Sequence, residues 1–222
     1  MKTLIKWSVS MLLVAVSSLS VAGEDVATLV NLVGSVSVTK PDGTTVSIKA
    51  KDKVQEGDTL VTSKGAFAMF KFIDGNEMLL RPDTQLKVTQ FKFVESEPTK
   101  DKAEFNLVKG GLRRLTGLIG KRGDKDADKL VTATATAGIR GTIYDVIQCK
   151  GDCGKLADGV HFRVKEGEIA VKNEAGEIAI KAGQFGSVSS PTSKPQLLPK
   201  DPGFPMMNAP KALQKEGGVC AA

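Results

Sequence analysis

The side chains that could carry chemistry are few in this 222-residue sequence, and their spacing argues against catalysis. His161 is the only histidine, so neither a nucleophile–base–orienter triad nor a histidine-rich metal site can be assembled. It lies in an apparent strand, Val160–Val164, and is predicted to be a surface residue of that strand. No glycine-rich phosphate loop, zinc spacing or haem motif is present. The sequence therefore predicts no catalytic site, no metal site and no cofactor.

Aspartates provide the nearest approach to a metal site. Asp124, Asp126 and Asp128 imitate the start of a calcium loop, but Lys129 stands where the loop needs glycine and Ala135 where it needs glutamate. The surrounding charged segment is therefore predicted to be a solvated loop.

Another aspartate, Asp58, follows Gly57 and has no carboxylate or histidine at ligand spacing. This Gly-Asp pair favours a turn in which the aspartate accepts backbone N–H bonds.

The cysteines offer redox chemistry. Cys149 and Cys153 are four residues apart, which departs from the Cys-x-x-Cys spacing of thiol–disulfide enzymes. In an oxidising compartment the pair predicts a disulfide across a hairpin tip, where Gly151 and Gly154 permit a tight turn. Cys220 is left over and is either free or linked to a partner molecule.

The residues Val131–Val146 read V-T-A-T-A-T-A-G-I-R-G-T-I-Y-D-V, and the rest of the chain is organised around them. Small apolar residues alternate with threonines as far as Gly138, which predicts one β-strand with a closely packed face. Gly138 and Gly141 then bracket Ile139 and Arg140, which predicts a bend or bulge.

Two interpretations of Arg140 follow from this setting. It could be a forked donor to an anionic ligand or a partner carboxylate. Alternatively, its guanidinium could be buried against carbonyl groups or against a carboxylate such as Asp145 or Glu166, bracing the bend. The flanking glycines suit packing better than access, so we expect the buried brace.

This run resembles the central signature of FecR domains, whose usual form is close to T-P-x-A-x-x-G-V-R-G-T-x-F-x-V. Four flanking pieces occur in the order that the family has: Val54–Thr62, Phe72–Leu80, Val108–Leu112 and Val164–Val171. The resemblance covers roughly residues 30 to 188 by motif order. The signature positions in this sequence are Gly57, Asp58, Asp74, Gly75, Gly110, Gly138, Arg140, Gly141, Thr142 and Gly167.

The resemblance implies a non-catalytic domain of the bacterial envelope. FecR domains are best known as the periplasmic part of transmembrane regulators that relay an iron-uptake signal to a sigma factor. This sequence shows neither a membrane span nor an anti-sigma segment, which favours a stand-alone module that engages another envelope protein. The alternatives are a glycan or cell-wall ligand binder and a regulator of that sigma-factor signalling. The single Tyr and single Trp disfavour glycan binding.

The N-terminus predicts export. Lys2 and Lys6 form a positive end, Val9–Val16 an apolar run too short to span a bilayer, and Ser20-Val21-Ala22 a small-residue cleavage site. We expect residues 1–23 to be a cleavable signal and the mature chain to be periplasmic or secreted.

Net charge argues against nucleic acid as a partner. The formal charge of +6 falls to +4 once Lys2 and Lys6 leave with the signal, and no basic stripe with interleaved aromatics appears. The densest basic group is predicted to be a solvated face and comprises Lys109, Arg113, Arg114, Lys121 and Arg122.

The remaining sequence predicts an all-β fold of short, mainly antiparallel strands in two related layers or lobes, sandwich-like or solenoid-like. A hairpin pattern at Gly34–Ala50 recurs at Gly167–Ala182, which suggests that both layers use the same unit. We expect one β domain over residues 24–188. Six of the nine prolines follow residue 188, so residues 189–222 are predicted to be a flexible tail.

Overall fold

The computed structural model describes residues 23–124, 126–204, 210 and 213. Almost all regular structure in these residues is β, as predicted. The strands are β1 (Asp25–Val33), β2 (Val36–Thr39), β3 (Thr45–Ile48), β4 (Lys53–Gln55), β5 (Thr59–Thr62), β6 (Phe67–Phe72), β7 (Glu77–Leu80), β8 (Gln85–Lys92), β9 (Lys102–Leu115), β10 (Asp128–Thr132), β11 (Thr136–Cys149), β12 (Gly159–Asn173), β13 (Gly176–Lys181), β14 (Phe185–Val188) and β15 (Gln196–Leu198). The chain also has a 3₁₀ turn (Pro98–Lys100) and a one-turn helix α1 (Ile119–Arg122).

The strands form one mixed sheet that folds over into two layers and does not close into a barrel. The first layer has the order β3–β2–β5–β8–β9–β10–β11–β12–β13. The second has the order β4–β1–β6–β7–β9–β11–β12–β14–β15. Among the described strands only the β9–β10 pair is parallel. The predicted antiparallel, two-layered fold is confirmed.

Three long strands, β9, β11 and β12, belong to both layers because each crosses from one to the other. The crossings occur at Gly110, Gly141 and Gly167, whose φ angles of +80°, +57° and +76° suit glycine. At each crossing the alternation of the strand also shifts, so that the core-facing positions change from odd to even numbers or the reverse. In β11, for example, Ile139 faces the core before the crossing and Tyr144 after it. Three glycines of the signature therefore lie at the bends that fold the sheet over.

The core lies between the layers. Phe72 of the second layer packs against Phe91 and Phe105 of the first, with ring centroids 5.1 and 5.2 Å apart. Full burial of each such side chain contributes roughly 2 kcal/mol, so this contact holds the layers together. The recurring hairpin pattern forms β2–β3 and β12–β13, which lie at the two opposite ends of the first layer.

The outer face of the second layer carries two smaller apolar clusters. Leu213 packs on Met69 and Leu79, and Phe204 packs on Ile147 and the disulfide region. Since β15 pairs with β14, the sheet continues past residue 188 into the segment predicted to be a tail.

The alternating threonine–alanine run is not one strand, and this prediction was wrong. Residues 133–135 form a turn between β10 and β11, which pair as an antiparallel hairpin. The Thr132 hydroxyl accepts the Ala135 N–H at 3.1 Å and donates to the Ala135 carbonyl at 2.8 Å. A threonine side chain thus satisfies the backbone groups of the turn. The alternating pattern of residue types does not predict such a side-chain bond.

Candidate binding site around Arg140

Arg140 ends the first-layer half of β11 and is exposed. In the described part of the chain its guanidinium makes no hydrogen bond and no ion pair. The prediction of a buried brace was therefore wrong. Asp145, one of its two expected partners, instead binds Arg113 and Arg163.

A β-bulge follows Arg140 directly in β11. The cross-strand pairs Arg140–Glu168 and Ile143–Glu166 leave two residues of β11, Gly141 and Thr142, opposite Gly167 alone. A Cβ atom on Gly167 would lie 2.6 Å from the Gly141 carbonyl oxygen, so only glycine permits this approach.

Thr142 anchors the bulge from the other side. Its N–H donates to the Thr116 hydroxyl at 3.0 Å, and that hydroxyl donates to the Thr142 carbonyl at 2.6 Å. Ile139 faces the core, so strand alternation points Arg140 away from it, and the bulge interrupts that alternation directly after Arg140.

A groove of about 330 Å³ lies beside Arg140 on the outer face of the first layer. Gly138 and Ala170 form its floor and are direct cross-strand neighbours in β11 and β12. The walls are charged or polar and comprise Asp126, Lys129, Thr136, Arg140, Glu168, Lys172 and Glu177. A second depression, lined by Lys121 and Gly141, lies on the other side of Arg140.

Two acidic side chains of the groove have basic groups in contact, whereas Arg140 has no acidic group in contact in the described part of the chain. Asp126 contacts Lys129 at 3.7 Å, and Glu168 contacts Lys181 at 4.0 Å. These carboxylates have basic neighbours, whereas Arg140 has no such contact within the described residues. A planar guanidinium in this position can bind a carboxylate through two parallel hydrogen bonds.

The other signature residues lie away from this groove and shape turns. Asp58 is fully buried and accepts the Gln55 N–H and the Lys40 ammonium, both at 2.9 Å. Asp74, in the β6–β7 turn, accepts the Asn76 N–H at 2.9 Å, and Gly75 in the same turn has a φ of +82°. Among the residues described, no group of three or more potential metal ligands is present.

Two arginines that the sequence placed on a solvated face are buried. Arg113 is 6% exposed and Arg114 is fully buried, because both belong to β9. Arg114 forms a two-point ion pair with Asp128, which had been assigned to a solvated loop. The other members of the predicted basic face behave differently: Lys109 and Lys121 are exposed, and Arg122 is half-buried.

A second charged cluster surrounds Asp145 on the outer face of the second layer. Asp145 binds Arg113 at 2.6 Å and also binds Arg163, whose guanidinium lies over the Phe204 ring. Burial lowers the pKa of the neighbouring Lys165, and the charge of Arg113 lowers it further. No spacing rule identifies this cluster, because its members come from three different strands.

Cys149 and Cys153 behave as predicted and His161 does not. Cys149 and Cys153 form the expected disulfide, with Cα atoms 5.5 Å apart. Cys220 lies outside the described residues. His161 is in a strand, as expected, but only 5% exposed, and its Nε2 atom is 2.8 Å from the Ala157 carbonyl oxygen. The prediction of a surface histidine was wrong, since the loop that contains Ala157 lies against the imidazole ring.

Comparison with known proteins gives a family and a fold. The family model described as FecR protein matches residues 58–170, which include β5 to β11 and the groove floor. Two crystal structures of a candidate anti-sigma factor from Parabacteroides distasonis ATCC 8503 resemble the chain at 14% identity with a TM-score of 0.51. The likeness covers 65% of this chain and 61% of theirs, so the chain spans less than two thirds of that relative. None of the curated proteins compared with the chain matches it.

Proposed function

Because the chain belongs to the FecR protein family, we propose that it is a non-enzymatic binding module of the bacterial envelope that engages another envelope protein. The observation that carries the proposal is the exposed Arg140 beside a charged groove, within the segment that the family model matches. The side chain is not needed to hold the fold, since it makes no hydrogen bond within the described residues. It is therefore available to a partner.

The lining of the groove favours a polypeptide partner. Both signs of charge surround a floor of glycine and alanine, which admits a main chain while the walls select its charged side chains. A carboxylate of the partner, either a side chain or a chain terminus, would meet Arg140. The lining contains no aromatic side chain, which disfavours the glycan-binding alternative.

The cellular location of the protein is part of the same proposal. Residues 1–22, which carry the predicted signal, lie outside the described residues, and no helix among the described ones is long and apolar enough to cross a membrane. N-terminal sequencing of the secreted or periplasmic fraction should give a chain that begins near Gly23. Recovery of an uncleaved chain with the inner membrane would contradict the proposed location.

A photo-crosslinking residue placed in the groove tests the binding site. The position is Lys172, on the groove wall, and the matched control is Lys87, an exposed lysine on β8 in the same layer. We expect a discrete crosslinked envelope protein from position 172, lost when Arg140→Glu is added, and none from position 87. Identical products from both positions, or products indifferent to Arg140→Glu, would overturn the proposed site.

A role in sigma-factor signalling is the second candidate, since the chain shares its fold with a candidate anti-sigma factor. It predicts that deleting the protein changes the transcription of iron-uptake genes. Unchanged transcription under iron limitation, together with a crosslink that depends on Arg140, would favour a binding role outside that pathway.

A further inference from the structure

Strand β13 leaves one edge of the first layer open. In the described part of the chain it pairs only with β12. The Ala182 N–H donates to the Gly167 carbonyl at 2.9 Å, and residues of an antiparallel pair alternate in the direction of their backbone groups. The backbone groups of Ile178 and Ile180 therefore point towards β12, and those of Glu177 and Ala179 point to the open edge.

The open part of the edge is short and centred on Ala179. Lys181 also points outward, but its N–H donates to the Gln184 side chain at 2.8 Å and its carbonyl accepts the Gln184 N–H at 2.9 Å. The Ala179 N–H and carbonyl have no such local partner among the described residues. An incoming strand would find its two backbone hydrogen bonds there.

The sequence of β13 is complementary to itself when it runs antiparallel about Ala179. Glu177 then lies opposite Lys181 of a second copy, and Ile178 lies opposite Ile180 of that copy. We propose that β13 pairs with β13 of a second copy of this chain, about a two-fold axis that passes beside Ala179. Such an interface is isologous, so each contact occurs twice.

Both faces of the joined strands gain contacts. On the outer face, Glu177 and Lys181 are exposed in the single chain, where Lys181 also contacts Glu168 at 4.0 Å. In the dimer each Lys181 gains Glu177 of the other copy as a nearer acidic neighbour. On the core face, Ile178 is only partly buried at the edge of the core, and the second copy covers it. The contact is small, so the dimer forms only at high protein concentration.

The pairing also completes the groove. Gly138, Ala170 and Ala179 are cross-strand neighbours in one row of β11, β12 and β13. Antiparallel pairing at Ala179 joins this row to the same row of the second copy. The groove then runs across both chains and carries one Arg140 at each side of the two-fold axis.

The recurring hairpin supplies a natural comparison. In β3, at the other end of the first layer, Lys49 makes the same local bonds with Asp52 that Lys181 makes with Gln184. Ser47 then corresponds to Ala179, and Thr45 to Glu177. The β3 edge therefore has the lysine but not the acid, and it has no charge pair to form with a second copy of itself.

Sedimentation equilibrium of the full mature chain, over a concentration series that reaches about 1 mM, tests the pairing. The wild-type average mass should rise towards twice that of one chain as concentration increases. Glu177→Lys and Lys181→Glu should each abolish the rise, because like charges then face each other. The double variant Glu177→Lys/Lys181→Glu should restore it.

A second pair of variants tests the backbone contact. Ala179→Pro removes an outward N–H without removing a bond to β12, so the variant should remain a folded monomer. Ser47→Pro makes the same change on the β3 edge and should dimerise like wild type. A wild-type chain that stays monomeric throughout, or an Ala179→Pro chain that still dimerises, would overturn the proposal. Arg140→Glu should leave dimerisation unchanged, which separates this result from the outcome for the proposed partner site.

Discussion

Arg114 and Asp128 form a two-point ion pair inside the core, with Nη1–Oδ1 and Nη2–Oδ2 distances of 2.7 and 2.8 Å and both side chains fully buried. Arg114 belongs to the second-layer half of β9, and Asp128 begins β10 in the first layer. The guanidinium also lies 4.6 Å from the centre of the Phe105 ring. Burial alone would lower the pKa of Arg114, but the charge and hydrogen bonds of Asp128, together with Tyr144, outweigh it and raise the pKa. Burial also raises the pKa of Asp128, and the charge of Arg114 opposes that rise. The pair ties the two layers together.

Removing one member of this pair should cost far more than removing both. Arg114→Met leaves Asp128 buried without a counter-charge, a loss of roughly 3–5 kcal/mol in the free energy of unfolding. The double variant Arg114→Met/Asp128→Leu should recover much of it, and Lys109→Met, on the exposed surface, should change little. Urea denaturation measures all three. A single variant as stable as wild type would show that the pair does not hold the layers.

The single tyrosine should report on the same region through its titration. Burial raises the pKa of Tyr144 to about 12, and the Asp128 charge acts in the same direction. The folded value exceeds the unfolded value of about 10, so the stabilisation is complete below pH 10 and is lost between pH 10 and 12. The loss is about 3 kcal/mol. Tyrosinate absorbance should appear near pH 10 in denaturant and only near pH 12 in the folded chain. Titration curves that coincide for the folded and the denatured chain would contradict the burial of Tyr144.

Gly167 and Gly183 separate the cost of a positive φ angle from the cost of a steric clash at an added Cβ atom. Their φ angles are +76° and +80°, but an added Cβ meets the Gly141 carbonyl at Gly167 and open space at Gly183. Gly183→Ala should cost about 1–2 kcal/mol from backbone strain alone. Gly167→Ala should cost about 1–3 kcal/mol more, since the bulge must move. Equal losses in chemical denaturation would mean that the bulge tolerates displacement.

Arg140 should be dispensable for stability. Arg140→Ala and Arg140→Lys should both melt within about 0.5 kcal/mol of wild type, because the side chain is exposed and has no hydrogen bond among the described residues. Thermal melts of the purified variants measure this. A large loss for Arg140→Ala would restore the bracing role and remove the main support for the binding site.

The disulfide should contribute modestly to the free energy of unfolding. It closes a loop of five residues from Cys149 to Cys153, worth about 2 kcal/mol in the chain-entropy account. A Cys149→Ser/Cys153→Ser variant should lose about that much, and Cys220→Ser should lose nothing measurable. Mass mapping without reductant should find the Cys149–Cys153 link, and a Cys149–Cys220 link would contradict it.

Local signals in the sequence were sufficient for the hairpins, the turn glycines and the disulfide, because the residues that decide them are neighbours in the chain. The burial of Arg114 was not predictable in this way. Its counter-charge is 14 residues away, and the two meet across the core because β10 pairs with the first half of β9 while Arg114 lies beyond the crossing at Gly110. The exposure of Arg140 was missed for a related reason. The close backbone approach suggested by Gly141 belongs instead to Gly167, on the neighbouring strand.

The passage of β9 through both layers has a consequence for how the chain can be divided. Residues Lys102–Lys109 lie between β8 and β10, whereas Gly110–Leu115 lie between β7 and β11. A cut at Gly110 would leave β7 in one fragment without the half of β9 that it pairs with. It would leave β10 in the other fragment without its own half of β9. The two layers therefore cannot be excised as autonomous modules, although their hairpins look like copies of one unit. Any transplant of the β domain must therefore keep both layers together.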